Sequence, residues 1–366
     1  MKLTSSLSLV PEGTAWHTRM LAWRRHPFTM VLTTFVVSMA LCLLMLFWLG
    51  IRPTDALKTL WRGAFGSLPA LADTLVFASP RLLVALGAMV ALRCGIFNLG
   101  GEGQLQMGAI GAVLPATLLP ASLGYLLLPF SLLGAALFGA FWALIPAVMR
   151  LWRGANEIIV TLMMNFIAVY LVKYLVQGPL QPPNSDFNMS AKIAHDSALP
   201  ILLAGTRLHA GVPIAFASAL ACWFLLYHTA WGVRVRAAGL SPRAARLQRL
   251  PLTRLILGAM LISGGLGGLA GAGEVLGVQY RLIDGFSNNI GFDGLAIALL
   301  GGLMPMGIVL VALYFGALNS GALALQMTWS VPSAISEIMT SMPIVILAAV
   351  QGYLLLKGRP LWNSTQ

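Results

Sequence analysis

Two short polar stretches interrupt otherwise apolar sequence. The first, FNLGGEGQ over 97–104, brings Phe97, Asn98, Glu102 and Gln104 together. The second, SNNIGFDG over 287–294, holds Asn289, Phe292 and Asp293. Carboxylates accept hydroxyl protons, amides donate and accept, and a phenylalanine ring offers a stacking face. The glycines release backbone groups from helical pairing, and irregular backbone at membrane depth persists only against protein or a water-filled cavity. Such clusters could hydrogen-bond a polar neutral solute and stack a ring, or they could only pin helix to helix. Asn165, inside another apolar run, should face the interior because lipid gives it no partner.

Other acids stand in or beside apolar runs: Asp73, Glu157, Glu274 and Glu337. An acid at the centre of a span costs about 2.5–3.5 kcal/mol. Glu157 and Glu337 sit at helix starts, where Glu157 reads as a dipole complement and Glu337 as a cap. Asp73 reads as a partner of Arg81 two turns on, or as solvated. The chain has no nucleophile elbow, HExxH or Walker A loop, and its five histidines are scattered. It does not read as an enzyme, and no metal or nucleotide site is expected on it.

The elements that must position these groups follow from composition. The chain is 58% hydrophobic and only 9% charged, against roughly 25% charged in soluble domains. That excludes a water-facing globule and implies an all-α polytopic membrane protein. The net charge of +12 reads as a topology signal. Basic residues lack the aromatic interleaving that stacks bases, so no nucleic-acid partner is expected. Cys42, Cys94 and Cys222 show no metal or disulfide spacing. At about 20 residues per span, ten spans are predicted: 28–50, 66–92, 102–119, 123–149, 156–177, 211–230, 252–276, 291–305, 307–327 and 335–356. They form one domain, 28–356, between tails 1–27 and 357–366. Both tails are placed in the cytoplasm and a polar loop, 178–210, outside. Residues 66–176 and 252–356 read as two inverted repeats, each with a glycine-broken helix, which points to a transport path.

Residues 231–254 carry six arginines and no acid, which holds this loop on the cytoplasmic side. Ser241-Pro242 is a helix start, and a short helix over 243–250 should end before Pro251. Ala244, Leu247 and Leu250 would form its apolar side. Such a loop could lie on anionic lipid or dock a cytoplasmic partner.

Four blocks resemble one family: 93–112 (RCGIFNLGGEGQLQMGAIGA), 154–168 (GANEIIVTLMMNFIA), 235–250 (VRAAGLSPRAARLQRL) and 291–318 (GFDGLAIALLGGLMPMGIVLVALYFGAL). They look like the permease subunits of bacterial ABC importers of the ribose/branched-chain amino acid class. The likeness is to the branch that works with basic-membrane-protein-type binding proteins on nucleosides or simple sugars. The resemblance implies a multi-pass protein of the bacterial inner membrane, paired with a second, similar permease. It implies an external solute-binding protein and a cytoplasmic ATPase of tandem nucleotide-binding domains, which would hold the ATP and Mg. It also implies that Gly239, Ser241, Pro242, Arg243, Ala244, Ala245, Arg246, Leu247 and Arg249 form the segment seated on that ATPase. The family usually has an acid after the proline and a glycine later in the loop. Arg243 and Arg249 stand there instead, which suggests an acidic rim on the partner. The rival reading is a secondary transporter with Glu102 or Asp293 carrying protons.

Overall fold

The computed structural model describes residues 27–183 and 186–356. The expected tails, 1–27 and 357–366, lie outside the described residues apart from Pro27. Thirteen α-helices follow one another among them. These are α1 (Pro27–Trp48), α2 (Pro53–Phe65), α3 (Leu68–Arg93), α4 (Gly101–Leu118), α5 (Leu127–Arg153), α6 (Glu157–Val176) and α7 (Gly211–His228). Then come α8 (Ala230–Leu240), α9 (Pro242–Leu247), α10 (Leu252–Glu274), α11 (Ile290–Leu300), α12 (Pro305–Trp329) and α13 (Ser333–Leu356). Two isolated β-bridges are the only extended pairing among the described residues.

Each expected span overlaps a helix, but not every helix can cross a bilayer alone. Seven are long and apolar enough, or eight if the bent pair α1–α2, turned by 119°, counts as one. Of the ten expected spans, the two whose helices fall short are α4 and α11. Helix α4 opens with Glu102, Gln104 and Gln106. Helix α11 has 11 residues, about 16 Å of rise against roughly 30 Å of hydrocarbon.

Between the first two expected spans, Pro53–Phe65 form helix α2. Its charges hide a stripe: Ala56, Leu60 and Ala64 are buried at four-residue spacing, opposite Lys58 and Arg62. This stripe packs on α12, where a Cβ on Gly321 would meet Leu60.

The core is built around α3 and α10, which pack on each other. Helix α10 also packs on α4 and α5, while α3 packs on α11 and α12, so the pairing is reciprocal. Lipid gives no hydrophobic drive between helices, so close approach must supply the attraction. At α4–α10–α5 that approach is backbone to backbone. A Cβ on Gly268 would stand 2.1 Å from the Ala135 carbonyl oxygen, and one on Gly108 would stand 2.2 Å from Gly268 Cα.

The loop expected over 178–210 is tied to the connector between α10 and α11. Ser190 N donates to Leu282 O (2.8 Å), Ile193 N to Tyr280 O (3.0 Å) and Leu199 N to Leu276 O (2.9 Å). His209 anchors its end. Its ring is 1% exposed, and its Nδ1 accepts from Gly211 N at 3.1 Å. Burial pulls the imidazole down to about 4, so it is neutral at pH 7.

Two outcomes are expected. Gly268→Val should cost at least about 3 kcal/mol through forced helix separation, seen as a lower midpoint of thermal unfolding in detergent. Acidification should also destabilise the chain. Between pH 6.5 and about 4 the unfolded imidazole binds a proton that the folded one refuses, at about 1.4 kcal/mol per pH unit. The slope contributed by this group should vanish in His209→Gln when the unfolding midpoint is followed against pH.

Candidate functional site

The two glycine breaks meet. Residues 94–100 leave α3 without helical structure and return along it, so α4 begins beside Val84, well inside α3. Helix α11 begins at the same level, with Gly294 also against Val84. The two N-termini touch. A Cβ on Gly291 would stand 2.2 Å from both N and Cα of Glu102, and one on Gly101 would stand 2.9 Å from Gly291 O. Only glycine permits this abutment.

Glu102 closes the contact. Its Oε2 accepts from Gly291 N at 2.9 Å, and its Oε1 accepts from Gln106 Nε2 at 3.1 Å and from the Ser287 hydroxyl. A carboxylate from α4 thus caps the first turn of α11, where free N–H groups and the helix dipole favour an anion. Ser287 Oγ also accepts from Gln106 Nε2 at 2.9 Å. Gln106 Oε1 has no hydrogen-bond partner among the described residues and is an open acceptor at the junction.

The break before α4 is stitched by amides. Asn98 Oδ1 accepts from Gly100 N (2.8 Å) and Gln104 Nε2 (3.2 Å), and Asn98 Nδ2 donates to Ser263 Oγ of α10 (2.8 Å). Asn165 Oδ1 accepts from Gly103 N (2.8 Å), while its Nδ2 donates to Leu99 O (2.8 Å). Thr161, one turn before Asn165 on α6, accepts from Leu99 N at 3.3 Å.

The eight residues singled out by sequence therefore divide. Asn98, Glu102, Gln104 and Asn165 are no more than 3% exposed, with their polar groups engaged by the protein. Phe97, Asn289 and Phe292 are exposed at the same junction. Asp293, in the first turn of α11, accepts from Arg81 Nε at 2.9 Å. The expected Asp73–Arg81 pair does not form, and Asp73 instead accepts from Arg207 Nε at 3.0 Å. Eight residues of helix rise about 12 Å, too far for side chains that both find nearer partners. Sequence reasoning did not reach Thr161, Ser263, Gln106 or the Arg81–Asp293 pair. Thr161 and Gln106 had a signal, a polar side chain one turn from another on the same face. Ser263 had none, since its partner lies on another helix.

The basic loop folds into α8 and α9. Thr229 caps α8 and Ser241 caps α9, accepting from Gly232 N (3.1 Å) and Ala244 N (3.3 Å). Helix α9 ends at Leu247, before the expected residue 250, because Arg249 takes a left-handed φ of 55°. The expected apolar side is also corrected. Ala245 is the buried residue of α9, Ala244 is exposed, and Leu247 is 86% exposed beside exposed Arg243, Arg246 and Arg249. Behind this knob, Gly239 lies against the Arg93 carbonyl and Gly95, at the start of the first break. Arg93 donates to Leu303 O through Nε (3.1 Å) and a terminal nitrogen (3.0 Å), and reaches Tyr227 Oη at 3.4 Å. The Arg236 guanidinium stacks over the Tyr227 ring at 4.8 Å.

Residues 70–348 match the family described as the branched-chain amino acid transport system permease component. The chain belongs to this family. The permease is 33% identical over 325 residues to the guanosine ABC transporter permease protein NupP of Bacillus subtilis, covering 87% of this chain and 92% of that one. It is 33% identical over 312 residues to the glucose ABC transporter permease protein TsgB13 of Haloferax volcanii, covering 82% and 81%. It is 29% identical over 308 residues to the nucleoside ABC transporter permease protein NupB of Lactococcus lactis, covering 82% and 84%. No solved structure gives a significant match. The junction, the loop over 178–210 and the basic knob all lie within the matched region of the permease.

Glu102→Ala should strand the Gly291 N–H, the Ser287 hydroxyl and the Gln106 amide. Each such buried group costs about 1–3 kcal/mol. The expected result is a lower unfolding midpoint and faster thiol labelling of a cysteine placed at Ser287. Labelling at the unmodified rate would show that the carboxylate does not hold the junction shut.

Proposed function

We propose that this permease is one of two membrane subunits of an ABC importer for nucleosides or simple sugars in a bacterial cytoplasmic membrane. Both chain termini are on the cytoplasmic side. Ten elements enter the bilayer, eight of them as two inverted repeats of four, with α4 and α11 as shortened members that meet at mid-depth. The reciprocal packing of α3 and α10 supports this reading.

The observation that carries it is the exposed basic knob formed by α9 and Arg249. A large apolar side chain, Leu247, projects among three exposed arginines, a surface suited to a groove with an acidic rim. A separate ATPase with tandem nucleotide-binding domains, holding ATP and Mg, supplies that groove. Arg243 and Arg249, which stand where the family has an acid and a glycine, match such a rim. Displacement of α9 reaches Arg93 and Gly95 through Gly239, and from there the break where α4 begins.

On the solute side, Phe97, Asn289 and Phe292 are the junction residues free to touch cargo. The phenylalanines stack a base or sugar ring, and Asn289 hydrogen-bonds it. Asn98, Glu102, Gln104 and Asn165 hold the junction that these residues line. A nucleoside is favoured because relatives named for guanosine and nucleosides align over most of the chain; one named for glucose keeps the sugar open. An external binding protein delivers the solute. The ion-gradient rival is weakened, because Glu102 is occupied by three donors and Asp293 by Arg81.

An ATPase with two nucleotide-binding domains should co-purify with the permease from membranes. The change Arg243→Glu, Arg246→Glu and Arg249→Glu together should reduce it at least tenfold without lowering the amount of inserted permease. Undiminished co-purification would remove the knob from the coupling path.

A further inference from the structure

Beside the junction, and sharing Asp293 with it, the bundle holds a second set of charges. Asp73, Phe77 and Arg81 follow one another at four-residue spacing along one face of α3. Arg207, from the loop before α7, pairs with Asp73 and lies 5.7 Å from the centroid of the Phe77 ring. Arg81 pairs with Asp293, donates to Phe77 O at 2.9 Å and reaches Asn319 Oδ1 at 3.5 Å. Side-chain exposure falls along the set, from 50% at Arg207 through 27% at Asp73 and 14% at Asp293 to 6% at Arg81. The charges therefore descend from the loop surface into the bundle.

Glu274, the last residue of α10, completes the set. It lies within electrostatic reach of both Arg81 and Arg207. It is 7% exposed, yet no described residue donates a hydrogen bond to it. The set counts three carboxylates and two guanidiniums, and the two ion pairs leave Glu274 over. A buried acid in a membrane bundle is expensive unless something supplies its donors. Here the chain does not. The backbone after it widens into a π-helical turn, Val275–Gln279, a feature that concentrates at functional sites. The residue before it is open, since a Cβ on Gly273 would meet nothing within 4 Å.

We infer that the Glu274 carboxylate is a binding station for the vicinal hydroxyls of a passing solute, with Arg81 and Arg207 orienting it. Neighbouring hydroxyls supply the two donors that the carboxylate lacks, as a buried acid holds the ribose of a dinucleotide. Ribonucleosides and hexoses share this diol. The inference rests on the solute class proposed above and adds a site on the chain, independent of the ATPase and the binding protein.

The test uses the full permease in lipid nanodiscs with guanosine, 2′-deoxyguanosine and glucose as probes, read by saturation-transfer NMR. The unmodified chain should transfer saturation to guanosine ribose protons, to glucose, or to both, and at least fivefold less to 2′-deoxyguanosine. Signal from guanosine alone assigns a ribonucleoside, and signal from glucose alone a hexose. Glu274→Gln, which keeps the shape and removes the charge, should reduce the signal at least fivefold, while Glu274→Asp should keep part of it. Equal signals from guanosine and 2′-deoxyguanosine with none from glucose, undiminished signal in Glu274→Gln, or no transfer from any probe would overturn the station. The comparison of probes on the unmodified chain decides the matter even if a variant does not fold. Co-purification of the ATPase, unaffected by these outcomes, tests the importer reading separately.

Discussion

Two helix N-termini in contact inside a bundle should repel, since each carries about half a positive charge on unpaired N–H groups. The fold depends on one carboxylate placed between them. Glu102 belongs to the first turn of α4 and accepts from the first turn of α11, so a single anion serves both helix ends. Glu102 is 3% exposed, so donors from the protein rather than water satisfy it. The contact also fixes glycine at 101 and 291, because any side chain would push the two backbones apart.

Around that contact the molecule is held by satisfaction of backbone groups more than by bulk. The break at 94–100 costs several N–H and C=O partners. Thr161, Asn165 and Asn98 return them one by one. Polar side chains in lipid-facing sequence are thus consumed internally, and the residues left exposed at the junction are two rings and asparagines. This separates the parts that build the site from those available to a ligand.

The same break links the two ends of the protein. Arg93 ends α3, holds the turn after α11 through Leu303 and touches Tyr227 of α7, while Gly239 of α8 rests on its carbonyl. A guanidinium with two bonds to one carbonyl is a stiff connector. Movement of the basic loop therefore has a short, hydrogen-bonded route to the start of α4.

The membrane class, the position of nearly every helix, the two breaks, the Ser241-Pro242 helix start and the family were all legible in the amino-acid order. These follow from local quantities: apolar run length, glycine placement, capping chemistry and ordered motifs. It did not yield α2, whose charges masked a buried stripe, or the true extent of α9, which a single left-handed residue cut short. Only the tertiary structure decided the partners. Asp73 paired with Arg207 and Arg81 with Asp293, the breaks abutted through Glu102, and Glu274 was left without a donor. Those outcomes depend on which helices lie side by side, and hydrogen bonds between residues up to about two hundred positions apart leave no periodic trace in the chain.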